Sequence, residues 1–293
     1  MSDIRVLVPL DGSALSEEIL PVVRGLPDPE VLLVRVVEAH GEGKEPEGAR
    51  MLASAAERDL AWIAERLRSD GVRVGAVVTR HGQAAAQILG AATDLGASLI
   101  AMTTHGRSGF DRLVLGSVAE KVIRKSPLPV LALRATVAPG GRGLFERVLL
   151  PYDGSDLAWR AVETVARLAK RATGPRSAIL FGVVETFPDE GGRKPEDAGH
   201  ARDIAAQFLR LRTERVCEEL EAAAARARDL GIEAKVETAV GSPAVRILCA
   251  AEAMAATLIA IATHGRSGPS RWALGSVTEK VLRGAPAPLL ICR

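Results

Sequence analysis

The segment THGRSGFDRLVLGS, from Thr104 to Ser117, returns as THGRSGPSRWALGS from Thr263 to Ser276. Each copy runs on into V-x-E-K-V-x-R and then a Pro-x-Pro strand. Upstream, RVLVPLDGS from Arg5 to Ser13 matches RVLLPYDGS from Arg147 to Ser155. Self-similarity in the same order along both halves marks a duplicated unit. The second copy is longer, and most of its extra residues fall between Glu185 and Arg202, where TFPDEGGRKPEDAGH reads as a surface excursion.

Short β-branched runs alternate with helical periodicities in the first copy. The strands are IRVLVP, VLLVRVVE, VRVGAVVT, ASLIAMTT and LPVLALR. Between them Leu52, Ala56, Leu60, Ile63 and Leu67 recur at helical spacing, and Gln83 to Asp94 and Val118 to Lys125 read as further helices. In the second copy Val216, Leu220, Ala223, Ala227 and Leu230 mark the long helix. Near-continuous apolar strands in βαβα order predict α/β domains: two tandem open parallel five-stranded sheets, each with helices on both faces. The expected boundaries are 1–137 and 147–293. The Gly- and Pro-rich stretch at 138–146 joins them.

The chain has 293 residues, enough for two such cores. Its 38 basic and 36 acidic residues leave no field that would gather nucleic acid or an anionic membrane. No apolar run is long enough to span a bilayer, and the N-terminus lacks a signal-peptide pattern, so a cytoplasmic protein is expected. Cys217, Cys249 and Cys292 have no metal-ligand or disulfide spacing and read as small core residues.

Ligands of open α/β sheets sit beyond the carboxyl ends of the strands. Asp11 and Asp153 follow the first strand of each copy, Glu38 and Glu185 the second, and the HGRSG loops the fourth. Glycines let backbone approach a ligand, and the helix that follows favours phosphate at its N-terminus. Plainer roles stand beside these. Ser117 with Glu120, and Ser276 with Glu279, fit an S-x-x-E capping box. Asp11 and Asp153 also suit a turn that bonds its own backbone. His105 and His264 have no metal-ligand spacing and are read as loop-shaping, while Arg107 and Arg266 fit either a phosphate clamp or a solvated loop. Trp62, Trp159 and Trp272 are assigned to packing. The chain lacks G-x-x-x-x-G-K-[ST], a G-x-G-x-x-G after its first strand, and G-x-S-x-G. No catalytic residue and no protein-built metal site is assigned.

This arrangement resembles the universal stress protein family over nearly the whole chain, as two tandem domains of an adenine nucleotide alpha-hydrolase-like, Rossmann-like fold. VPLDGS, the HGRSG loop, LGSVAEKV and SPLPVLALR stand in the family's order. Its ATP-binding members carry Gly, two residues, Gly, nine residues, then Gly followed by Ser or Thr. Gly106, Gly116 and Ser117 fit the latter part, as do Gly265, Gly275 and Ser276. Thr103 and Ala262 replace the first glycine. The resemblance implies a stress-response protein that binds ATP, or ADP or AMP, with Mg2+ carried on the phosphates, and that acts through conformation or partners instead of catalysis, with weak, incidental ATP hydrolysis left open.

By the same resemblance the nucleotide site of the first half comprises Pro9, Asp11, Val36, Met102, Thr103, His105, Gly106, Gly109, Gly116 and Ser117. That of the second comprises Pro151, Asp153, Val183, Ile261, Ala262, His264, Gly265, Gly268, Gly275 and Ser276. Asp11 and Asp153 would contact the nucleoside, Val36 and Val183 the adenine through their main chain, and the glycine loops the phosphates. Pro269, in place of Phe110, favours the first half as the better site. The alternative is a nucleotide-independent interaction protein whose halves pair within the chain through the final strands VLALR and LLICR, with further homodimerisation left open.

Overall fold

The computed structural model describes residues 4–37, 47–104, 115–134, 143–172, 176–185, 198–264 and 274–293. The first half runs β1 (Ile4–Pro9), α1 (Ala14–Glu17), α2 (Ile19–Arg24), β2 (Pro29–Val37), α3 (Glu47–Ser69), β3 (Arg73–His81), α4 (Ala84–Asp94), β4 (Leu99–Thr103), α5 (Ser117–Lys125) and β5 (Val130–Leu133). The second half repeats it as β6 (Val148–Pro151), α6 (Asp156–Ala169), β7 (Ser177–Val184), α7 (Ala198–Asp229), β8 (Glu233–Val240), α8 (Pro243–Ala253), β9 (Leu258–Ala262), α9 (Ser276–Gly284) and β10 (Leu289–Cys292).

All pairings within a half are parallel, with Val6 beside Val31 in the first and Val148 beside Ala178 in the second. Alternation of side chains sends Val6, Val8 and Leu33 to one face, against Leu60, Ile63 and Leu67 of α3. Leu7, Leu32 and Val34 point to the other face, among Ile88 and Ala91 of α4 and Val122 of α5. Burial on both faces is why these strands read as unbroken apolar runs.

The two sheets do not remain separate. β5 and β10 pair antiparallel, Leu131 opposite Leu290, which fuses them into one ten-stranded sheet ordered β3-β2-β1-β4-β5-β10-β9-β6-β7-β8. The strand order reverses next to β1 and next to β6, so each half keeps its own crevice. Leu144 and Phe145, within the stretch assigned to the linker, are buried, and the Leu144 carbonyl accepts a hydrogen bond from Thr257 at 3.0 Å.

Among the described residues no helix is long and apolar enough to cross a membrane. Of the three cysteines only Cys292 is a core residue; Cys217 and Cys249 are exposed, on the outer faces of α7 and α8. Helical periodicity alone did not separate these two positions from the core. Trp62 is exposed with Arg66 stacked 4.6 Å from its ring, and Trp159 lies under Arg226 at 3.8 Å.

Candidate functional site

The second half holds a cavity of about 350 Å³ at the carboxyl ends of β6, β7 and β9. That is within the usual range for small-molecule sites. Three local devices build it. After β6 the chain turns at Asp153, whose Oδ1 accepts from the Ser155 amide at 3.1 Å and the Ser155 hydroxyl at 2.6 Å. Gly154 takes φ 79° in this turn, a left-handed conformation that glycine adopts without penalty. Ser155 then caps α6, accepting from the Ala158 amide at 3.1 Å. The first half repeats the device with Asp11, Ser13 and Ser16.

The second device draws the start of α9 against β9. The Gly275 amide donates to the Thr263 carbonyl at 2.8 Å, and the buried Thr278 hydroxyl donates to the Ala262 carbonyl at 2.8 Å. A Cβ on Gly275 would stand 3.1 Å from the Thr263 oxygen, so glycine permits the close approach. In the first half the Gly116 amide donates to Thr104 at the same 2.8 Å. Gly275 and Gly116 are therefore the N-caps of α9 and α5, in extended conformation and without a side-chain cap bond. This corrects the capping-box reading: Ser276 and Ser117 are the first helical residues, one position too late to cap. The opening amides of α9 belong to Ser276, Val277 and Thr278, which line the cavity. They have no partner within the helix.

The third device is His264. It lines the cavity, with Nδ1 3.2 Å from the Thr263 hydroxyl. Its Nε2 is buried and has no hydrogen-bond partner among the described residues. Burial lowers the pKa of the ring, and the positive charge of Arg293 lowers it further. A neutral imidazole thus borders the space, with its unused ring nitrogen buried behind it.

Of the residues expected in the second half, Pro151, Asp153, Val183, Ile261, Ala262, His264, Gly275 and Ser276 all line this cavity. Gly265 and Gly268 lie outside the described residues, as do Arg266, Pro269 and Trp272. The sequence reading missed the wall supplied by α7, from Arg212 through Val216 and Glu219 to Leu220. Its signal was present, since Val216 and Leu220 belong to the apolar face of that helix. A second cavity of about 320 Å³ shares Glu185, Pro243, Ser276 and Val277 with the first and adds Lys280 and Ser242.

In the first half Pro9, Val36, Met102 and Thr103 end their strands at the equivalent rim, with Asp11 in the turn and Gly116 and Ser117 opening α5. His105, Gly106 and Gly109 lie outside the described residues, as do Arg107 and Glu38. One wall differs in kind. Arg35 of β2 is buried, with its guanidinium packed on Gly12, 3.2 Å from where a Cβ would stand. Its Nη1 donates to Asp59 of α3 at 2.9 Å and its Nε to the Leu10 carbonyl at 3.3 Å. The equivalent of Arg35 in β7 is Gly182, and the equivalent of Gly12 is Gly154, which faces the cavity. The advantage expected for the first half rested on Pro269, which lies outside the described residues.

Comparison with known proteins agrees with this architecture. The model of the universal stress protein family matches twice, over residues 4–134 and 144–293. A universal stress protein of Bacillus subtilis is 31% identical over 154 residues, which is 51% of this chain and all of that protein. One from Mycobacterium bovis is 23% identical over 245 residues, 83% of this chain and 80% of its own. The crystal structure of a universal stress protein from Archaeoglobus fulgidus superposes with a TM-score of 0.71 at 25% identity, covering 100% of this chain and 99% of that one. Two copies of the family pattern, on two copies of one fold joined strand to strand, leave a single assignment: this chain belongs to the universal stress protein family, with two domains in tandem.

Proposed function

We propose that this protein binds an adenine nucleotide in the cavity of its second half and acts as a nucleotide-linked module of the stress response, without turning the nucleotide over. The observation that carries the reading is that His264, the first residues of α9 and the carboxyl ends of β6, β7 and β9 line one cavity together. Helix N-termini of this kind favour phosphate oxygens. Val183 and Ile261 offer main chain and apolar surface for a flat base, and Asp153 lies where a ribose would be held. Lys280, in the adjoining cavity, would neutralise phosphate charge. Mg2+ would arrive with the phosphates and keep most of its water, with Asp153 and Glu185 as the nearby carboxylates.

Such a ligand regulates only by preferring one conformation. A preference of about 1.4 kcal/mol shifts the ratio of two states tenfold. Equilibrium dialysis of nucleotide-stripped protein against labelled ATP tests the reading. Saturable uptake below millimolar nucleotide is the expected result, and no uptake at millimolar nucleotide overturns it.

A nucleotide-independent interaction protein is the second reading, favoured by the β5–β10 pairing that already turns the two halves into an internal pair. Mass spectrometry of small molecules released on denaturing freshly purified protein separates the two. Adenine nucleotide in the extract counts against this second reading.

A further inference from the structure

We infer that the chain takes one nucleotide, not two, because the Arg35 guanidinium covers Gly12 in the first half, whereas in the second Gly182 stands in place of Arg35 and the equivalent Gly154 faces an open cavity. The inference rests on the proposed binding site and adds to it the residue pair that decides which half is used. Duplicated domains start with equal sites, so a difference between them must lie in particular side chains. Strand register makes the comparison direct. Val8 pairs Leu33 in the first half and Leu150 pairs Leu180 in the second, which sets Arg35 and Gly182 two residues further along, on the same face.

The two sets of neighbours match their central residue. Aligning Leu60, Ala64 and Leu67 of α3 with Leu220, Ala224 and Ala227 of α7 puts Asp59 at the position of Glu219 and Ala56 at that of Val216. In the first half a small Ala56 accompanies the large Arg35, and Asp59 receives its charge at 2.9 Å. In the second, a Cβ on Gly182 would come within 2.7 Å of Val216 and 2.8 Å of Leu220, so these side chains close over the glycine and leave no room for an arginine stem. What remains beyond them, against Gly154 and Ala158, is cavity.

Arg35 is held firmly. It is 6% exposed, bonded to Asp59 and Leu10, and stacked on the backbone of Gly12. Swinging it out would break a charge-assisted pair and a packed contact together. The first half is thus filled by its own side chain, and the second by a ligand.

Exchanging the pairs tests this. Isothermal titration with MgATP should give one site per wild-type chain. G182R with V216A, which moves the arginine and its companion alanine into the second half, should weaken binding at least tenfold. R35G with A56V should add a second site. Two sites in the wild type, or unchanged binding in G182R/V216A that retains its native circular dichroism, overturns the inference. Should that variant not fold, a stoichiometry still at one in R35G/A56V does so. A wild type with no saturable signal at millimolar MgATP removes the site itself and this inference with it, and is told apart by the lack of any binding.

Discussion

Arg134 Nη1 donates to the carbonyl of Ala285 at 3.1 Å, so the residue that follows the last strand of the first half caps the last helix of the second. Arg293 returns the contact, donating to the carbonyls of Ile123 and Arg124 at the end of α5. Cations at helix C-termini satisfy orphan carbonyls and oppose the helix dipole. The halves are therefore joined by a reciprocal pair of caps as well as by the β5–β10 ladder.

Arg134→Ala should cost about 1 kcal/mol, the ordinary worth of one such hydrogen bond. Because both caps bridge the same junction, Arg134→Ala and Arg293→Ala together should lose more than the sum of the single variants. Urea denaturation of the four proteins reads this directly. Strict additivity would show that the caps act independently.

Asp11→Ala and Asp153→Ala remove the same turn, and each should destabilise by about 1 kcal/mol through the loss of a capping serine's support. Their effects on ligand should part. Asp153 lines the cavity, so its variant should weaken ATP binding, while Asp11→Ala should leave it within a factor of two. Equal loss in both variants would place the ligand elsewhere.

Thiol chemistry should divide the cysteines. Burial pushes the Cys292 thiol up to about 12, whereas Cys217 and Cys249 are exposed. An aromatic disulfide reagent at pH 8 should titrate two thiols in the native protein and the third only in denaturant. Three fast thiols would mean that β10 leaves the sheet readily.

The lowered pKa of His264 gives the pH dependence a sign. The unfolded chain takes up this proton near its ordinary value of about 6.5, before the folded protein does. Stability should be level above that pH, fall as the pH drops toward the lower folded value, and level off below it. Comparing urea midpoints of the wild type and His264→Gln between pH 7.5 and 5 isolates this residue. Equal slopes in the two proteins would rule out the contribution.

Much of the frame was legible before any coordinates. IRVLVP is β1 residue for residue, because a strand buried on both faces has a continuous apolar signature. The residues around the second crevice were recoverable too, since repetition of DGS and LGS marks both sides of the rim. The caps of α5 and α9 were misplaced by one residue. S-x-x-E fits a helix whose serine caps it and one whose serine is already inside, and only the Gly275 to Thr263 bond separates them. The contribution of Glu219 and Arg212 was invisible because it depends on how α7 lies across β7. The Arg35 and Gly182 contrast stood in the aligned strands from the start. Its meaning came only with Gly12, Asp59 and Leu10 gathered around the guanidinium.

The ladder between β5 and β10 also imposes a schedule on biosynthesis. Val130–Leu133 must wait for Leu289–Cys292, and at translation rates of about 5 to 20 residues per second the interval is on the order of ten seconds or more. Throughout that delay the nascent first domain carries a bare apolar edge outside the ribosome, open to chaperones and to the same strand of a neighbouring nascent chain. The finished molecule shows no trace of this hazard, since its last strand is the cover.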